Sequence, residues 1–141
     1  MRKRLLVLMV AAMSVAFVIS SVCATSAPDK IVMNNKVFKK HKKALVHFTH
    51  KKHHEQYKVA CTECHHVMKD GKNVWKDGDP VQKCTECHKG AKAKGKMPKA
   101  EKIKGFYYNA IHANCVGCHK DMKKKGKKAP SACKDCHPKK K

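Results

Sequence analysis

The apolar positions of this chain form one long block and then scatter. From Leu5 to about Ile19 they are nearly continuous, behind Met1-Arg2-Lys3-Arg4 and ahead of Ser20-Ser21-Val22-Cys23-Ala24-Thr25-Ser26-Ala27. A basic start, an apolar centre and a small-residue end predict a secretory signal peptide over residues 1–27, cleaved after Ala24 or Ala27. The run falls short of the roughly 20 apolar residues that a membrane-spanning helix needs. Ser20-Ser21-Val22 ahead of Cys23 makes a poor lipoprotein signal. The expectation is export to the periplasm, with no stable membrane insertion of the processed chain.

Beyond residue 28 neither a helix period nor a strand period is sustained. Ile31-Val32-Met33, an Asn34-Asn35 turn and a second apolar stretch near Ala44–Phe48 predict a small N-terminal β-ribbon. His50 to Lys58 suits a helical turn or two. Residues 67–83, with Gly71, Gly78 and Pro80, read as loop, and residues 89–104 as a solvated, lysine-rich connector. Asn109–Cys115 is the best helix candidate, and residues 120–130 are again lysine-rich up to Pro130. The predicted class is mostly irregular, with little helix and a short β-ribbon, in one domain over residues 28–141.

Composition turns this sparse pattern into a constraint. Of the 114 residues from Pro28 onward only 15 are Leu, Ile, Val or Phe, below the roughly 20% at which a highly charged chain is expected to be disordered. Such a polypeptide cannot bury enough apolar area to offset its ordering entropy. Either the processed chain is unfolded or something else supplies its core. Charge narrows the partners: the formal net charge of +23 falls to +20 once Arg2, Lys3 and Arg4 are removed. A surface this basic draws acidic proteins, anionic membranes or nucleic acid; export argues against nucleic acid.

What could supply the core is written four times. Cys61-Thr62-Glu63-Cys64-His65 is a Cys-x-x-Cys-His pentad, and the pattern returns at Cys84–His88, Cys115–His119 and Cys133–His137. It is the attachment site of a c-type haem. Cys61 and Cys64, Cys84 and Cys87, Cys115 and Cys118, Cys133 and Cys136 would form thioethers to the vinyl groups, three residues apart on one side of a helical turn. His65, His88, His119 and His137 would then reach the irons as axial ligands. Four porphyrins would replace the missing aliphatic core.

Two other readings use the same cysteines. Cys61-x2-Cys64, a gap of 19 residues and Cys84-x2-Cys87 fit a zinc ribbon, and eight cysteines in an exported chain fit a disulfide framework. Neither accounts for a histidine after every second cysteine.

Of the eleven histidines, seven lie outside the pentads: His41, His47, His50, His53, His54, His66 and His112. Four would give every iron a second imidazole. The rival sixth ligand, methionine, is represented after processing by Met33, Met68, Met97 and Met122, none in a distinctive setting. Two imidazoles per iron leave no open position, which favours electron transfer over small-molecule activation, at low potential because methionine ligation raises it. The competing function is a multihaem reductase of metal ions or oxyanions, which would need an iron with a free position.

The chain resembles the class III cytochromes c, the tetrahaem cytochrome c3 group of sulfate- and metal-reducing bacteria, over about residues 31–138. The resemblance rests on Phe48-Thr49-His50-Lys51-Lys52-His53, on Cys61–His65 followed by His66, on Tyr107-Tyr108-Asn109-Ala110-Ile111-His112 ahead of Cys115–His119, and on the last pentad. All four pentads here are the short form, whereas many members carry a wider Cys-x4-Cys-His at one or two sites. The resemblance implies a cytochrome c3-like fold around four haems, with His50 opposite His65, His66 opposite His88, His53 opposite His119 and His112 opposite His137. His47 and His54, three residues before and four after His50, compete with His50 and His53; the Phe48-x-His50-x-x-His53 spacing matches the family. The implied role is a periplasmic carrier between redox partners such as hydrogenase and membrane-bound or terminal reductase complexes in anaerobic sulfate respiration. Lysines at 120–128 and 139–141 flank the fourth pentad, where the family would place a docking patch for such acidic partners.

Overall fold

A computed structural model describes residues 28–139; the signal peptide expected over residues 1–27 lies outside the described residues. The chain begins with the ribbon expected near its N-terminus. Strand β1 (Ile31–Val32) runs antiparallel to β2 (His47–Phe48), with Ile31 opposite Phe48 and Val32 opposite His47. The pairing reaches one residue further, where Met33 N donates to Val46 O at 2.9 Å. A π-helical turn, Lys52–Gln56, and a 3-10 turn, Cys61–Glu63, follow.

Three departures from the sequence expectation concern the middle of the chain. Residues 67–83 contain a hairpin, β3 (Met68–Lys69) on β4 (Lys72–Asn73). Its two central residues, Asp70 and Gly71, have φ of 48° and 76°, as a two-residue hairpin turn requires. The expected connector 89–104 ends in a helix. Beyond α1 (Cys84–Cys87) comes α2 (Lys99–Gly105), starting directly after Pro98, a residue suited to a helix entrance and excluded from its interior.

The helix expected at Asn109–Cys115 is much longer: α3 spans Tyr107–Lys124. Lysine is a good helix former, and Lys123 and Lys124 face the negative end of the helix dipole. Gly126 ends it at φ 75°, with Gly126 N bonded to Lys123 O and Lys127 N to Met122 O, both at 3.0 Å. That pair of bonds is a Schellman cap. The last element is α4 (Cys133–Cys136).

No side chain caps the start of α3; backbone carbonyls from the preceding loop do so. Tyr107 N donates to Gly90 O at 2.7 Å and Tyr108 N to Ala91 O at 3.0 Å, while Gly90 N bonds back to Gly105 O at 2.9 Å. The loop can come this close only because residue 90 has no side chain. A Cβ there would run into Cδ1 of Phe106 and lie 2.7 Å from Cε1.

The polypeptide alone has almost no core. Among the described residues only Trp75 and Tyr107 are buried, at 8% and 5% exposure, while Val32, Tyr57, Val67, Met68, Val74 and Val81 are exposed. Tyr107 packs against Phe38, ring centroids 5.8 Å apart, so it joins the N-terminal loop to α3. Trp75 follows the hairpin, its Nε1–H donating to Pro80 O at 3.4 Å.

Two measurements check this account. Gly90→Ala should lower unfolding stability by about 1–3 kcal/mol, the usual effect of overpacking, read by denaturant titration. Burial pushes the Tyr107 phenol up to about 12 from an ordinary value near 10. The folded state thus holds this proton more tightly than the unfolded chain. Its contribution to stability is complete below about pH 10 and lost as pH rises toward 12. Tyr107→Phe should abolish that part of the alkaline decline, seen by comparing the two proteins at pH 9 and pH 11.5.

Candidate haem-binding sites

Each pentad is one turn of helix, closed by its own histidine. His65 N donates to Cys61 O at 2.8 Å, His88 N to Cys84 O at 2.9 Å and His137 N to Cys133 O at 2.9 Å; the third pentad lies within α3. The turn brings the two thiols of a pentad to one side and sends the imidazole after them. An acidic residue in the turn helps to start it. Glu86 Oε1 accepts from Lys83 N at 3.2 Å, and Asp135 Oδ2 accepts from Ser131 N and Ala132 N at 3.1 and 2.9 Å. Those two N–H groups hold the Asp135 carboxyl below the usual carboxylate range.

The first pentad is fastened by a residue that the sequence reading did not single out. Asn73 Nδ2 donates to His65 O at 3.1 Å and to Thr62 O at 3.4 Å, and its Oδ1 accepts from Val67 N at 3.0 Å and Trp75 N at 3.1 Å. All four hydrogen-bonding positions of the amide are used. The same turn brings the Trp75 ring to 5.2 Å from the His65 ring. The sign that could have disclosed this clamp is Asp70-Gly71, whose hairpin folds Asn73 back onto Val67.

The histidines meet in twos. Ring centroids are 6.2 Å apart for His50 and His65, 6.0 Å for His66 and His88, 6.1 Å for His53 and His119, and 6.3 Å for His112 and His137. A metal–imidazole bond is about 2 Å, and the bonding nitrogen lies about 1.2 Å from its ring centre, so two imidazoles on opposite sides of one ion have centres about 6.4 Å apart. All four separations fit that value. The planes cross at 64° and 71° in the first two pairs and at 30° and 24° in the last two.

Hydrogen bonds set the protonation of half of these rings. Nδ1 lies 2.8 Å from Thr49 O in His53, 3.0 Å from Lys104 O in His88, 2.8 Å from Tyr108 O in His112 and 2.7 Å from Ala44 O in His137. A carbonyl only accepts, so Nδ1 carries the proton and Nε2 keeps its lone pair for a metal. The buried Nδ1 atoms of His50 and His119 have no protein partner among the described residues. Burial, followed by the neighbouring His50 and His66, lowers the His65 pKa, which favours the neutral, ligating imidazole.

The competing histidines are placed elsewhere. His47 is exposed on β2, and His54 is exposed with Nδ1 3.7 Å from Cys61 Sγ. Among the described residues neither ring stands against another imidazole. His41 faces Phe38, and its Nε2 lies 3.1 Å from Asn34 Oδ1.

The eight cysteines of the pentads are free thiols. Burial pushes Cys115 up to about 11, reinforced by Cys64, Cys136, Cys84 and Cys118; it also raises Cys64, Cys84 and Cys136. Thiols from all four pentads are therefore close enough to sense one another's charge. Cys64, Cys84, Cys115 and Cys136 hold their protons more tightly than a solvated cysteine does. Among the described residues no three His, Cys, Asp or Glu side chains gather as a metal cluster. The donor set fits four two-imidazole centres, each beside a pair of thiols.

A profile of the class III cytochrome c family matches residues 25–137, and the chain belongs to that family. Proteins of this class bind c-type haem and carry electrons over several haems; they are not enzymes. The chain is similar to the cytochrome c3 of Maridesulfovibrio salexigens, at 37% identity over 119 residues, 82% of this chain and 98% of the relative. No described helix is long and apolar enough to cross a membrane.

Proposed function

We propose that this protein is a low-potential periplasmic electron carrier holding four bis-histidine c-type haems. The observation that carries the reading is the common spacing of the four imidazole pairs. His65, His88, His119 and His137 are the proximal ligands, and His50, His66, His53 and His112 the distal ones. Cys61, Cys64, Cys84, Cys87, Cys115, Cys118, Cys133 and Cys136 tether the porphyrins. The bound haem supplies a one-electron Fe(III)/Fe(II) couple, kept low by two imidazoles.

The polypeptide's part is to hold the two rings of each pair at a spacing where both could bind one iron, leaving no position for a further ligand. Where Nδ1–H meets a carbonyl, the hydrogen bond makes the imidazole a stronger donor and favours the oxidised ion. The scarcity of buried side chains supports the same reading, because four porphyrins would cover apolar groups such as Val67 and Val74.

The partners proposed are acidic redox proteins, such as a hydrogenase or a membrane-bound cytochrome complex. Lys120, Lys123, Lys124, Lys125, Lys127 and Lys128 are exposed between the third and fourth pentads. One of them, Lys124, is paired with Asp121 at 2.8 Å.

Haem quantified per chain, with carbon monoxide added to the reduced holoprotein, tests the core of the proposal. Four haems and no carbon monoxide complex in the native state are expected; fewer haems, or ready binding, would overturn it. The basic surface makes a separate prediction. The rate of electron transfer to an acidic partner should fall steeply between low and physiological ionic strength, and a flat rate would remove the docking role.

A further inference from the structure

The entrance of α3 carries a feature that ligation alone does not use. The Tyr108 ring lies 4.1 Å from the His112 ring one turn further on, with 33° between their planes. On Tyr108 sits the ammonium of Lys92, 4.5 Å from the ring centre. His112 in turn faces His137 at 6.3 Å. Four groups follow one another: a cation, a phenol ring and the two imidazoles of the fourth pair.

The backbone builds this placement. On one side of Lys92, Ala91 O accepts from Tyr108 N at 3.0 Å; on the other, Ala93 N donates to Asn109 Oδ1 at 3.1 Å. Residues 91 and 93 are thus fastened to Tyr108 and its neighbour, and the side chain between them leaves over the ring. Among the described residues Lys92 is the one lysine whose ammonium rests on an aromatic face.

We infer that Lys92, acting through the face of Tyr108, is a positioning residue that holds up the reduction potential of the fourth haem, the one tethered by Cys133 and Cys136. A cation is attracted to the face of an aromatic ring, so the charge has a fixed place. The distances just given put it within about 12 Å of the midpoint of the His112–His137 pair, comparable to the Debye length. Lys92 is exposed, but its ammonium is held at one place by the Tyr108 ring, which itself lies against His112, so its charge acts on the pair from a fixed distance rather than from a freely moving side chain. A fixed positive charge favours the reduced iron. It opposes the electron-donating push of His112 and His137, both of which bond through Nδ1 to carbonyls.

The inference rests on the four-haem reading, and the test separates the two. Haem-resolved potentials are measured on the holoproteins of the parent, Lys92→Gln, Lys92→Arg and Lys94→Gln. The last loses the same charge two residues away, at another exposed lysine. Lys92→Gln should reduce the reduced-to-oxidised ratio of the fourth haem about three- to tenfold at fixed potential, with smaller changes at the other three. Lys92→Arg should keep the parent value. In a Tyr108→Leu background Lys92→Gln should act no more strongly than Lys94→Gln, because the platform is gone. A uniform shift of all four haems, an equal effect of Lys94→Gln, or no shift at all would overturn the inference while leaving four haems in place. A holoprotein lacking the haem between His112 and His137 would instead sink the reading beneath it.

Discussion

At four places among the described residues two imidazoles stand about one common distance apart, and in each the rings come from different stretches of chain. His50 and His65 are 15 residues apart, His66 and His88 22, His112 and His137 25, and His53 and His119 66, yet the centre-to-centre spacing varies only from 6.0 to 6.3 Å. Every other element serves that spacing. The ribbon β1–β2 delivers Phe48 beside His50 and His53, at 5.8 and 4.7 Å. The β3–β4 hairpin clamps the backbone of His65 through Asn73, and α3 carries His112 and His119 seven residues apart. Seven residues are nearly two full turns, so those two rings leave almost the same face about 10.5 Å apart along the axis.

The carbonyls behind the imidazoles divide into two kinds. His53 and His112 use the carbonyl four residues earlier, on their own helical turn, so orienting the ring takes no tertiary structure. His88 reaches Lys104 O, 16 residues away, and His137 reaches Ala44 O, 93 residues away. In those two the ring is aimed only once the fold has closed. The bond from His137 joins the last pentad to the loop leading into β2, and it is the shortest of the four.

The chemistry was more legible in the sequence than the architecture. Cys-x-x-Cys-His has a spacing set by one turn of helix and the two vinyl groups of a porphyrin, so it can be read without a fold. The short ribbon was legible from Ile31-Val32 and the stretch around Val46 to Phe48. The distal rings were not deducible from spacing, since His47 and His54 lie as close to the candidates as the candidates do to each other. Family resemblance favours His50 and His53; in the structure these two are half-buried, while His47 and His54 are exposed. The hairpin at 68–73 escapes because Gly71 reads, beside Gly78 and Pro80, as loop punctuation. Helix α2 escaped because a lysine-rich run with Ile103 as its one large aliphatic shows no apolar face. The extent of α3 escaped for the same reason: its last turn, Asp121-Met122-Lys123-Lys124, is mostly charged and is held by a glycine cap rather than by burial.

The way the rings share backbone has a mechanical consequence. One peptide unit joins His65 to His66, one helical turn joins His50 to His53, and two turns of α3 join His112 to His119. Through those struts the pairs are strung in a single file, second to first to third to fourth, like spans of a bridge on common piers. A shift at a terminal pier disturbs one span; a shift at residues 50–53, 65–66 or 112–119 tilts two at once. The two ends of the file can therefore move with the least disturbance to the rest, and its middle with the most.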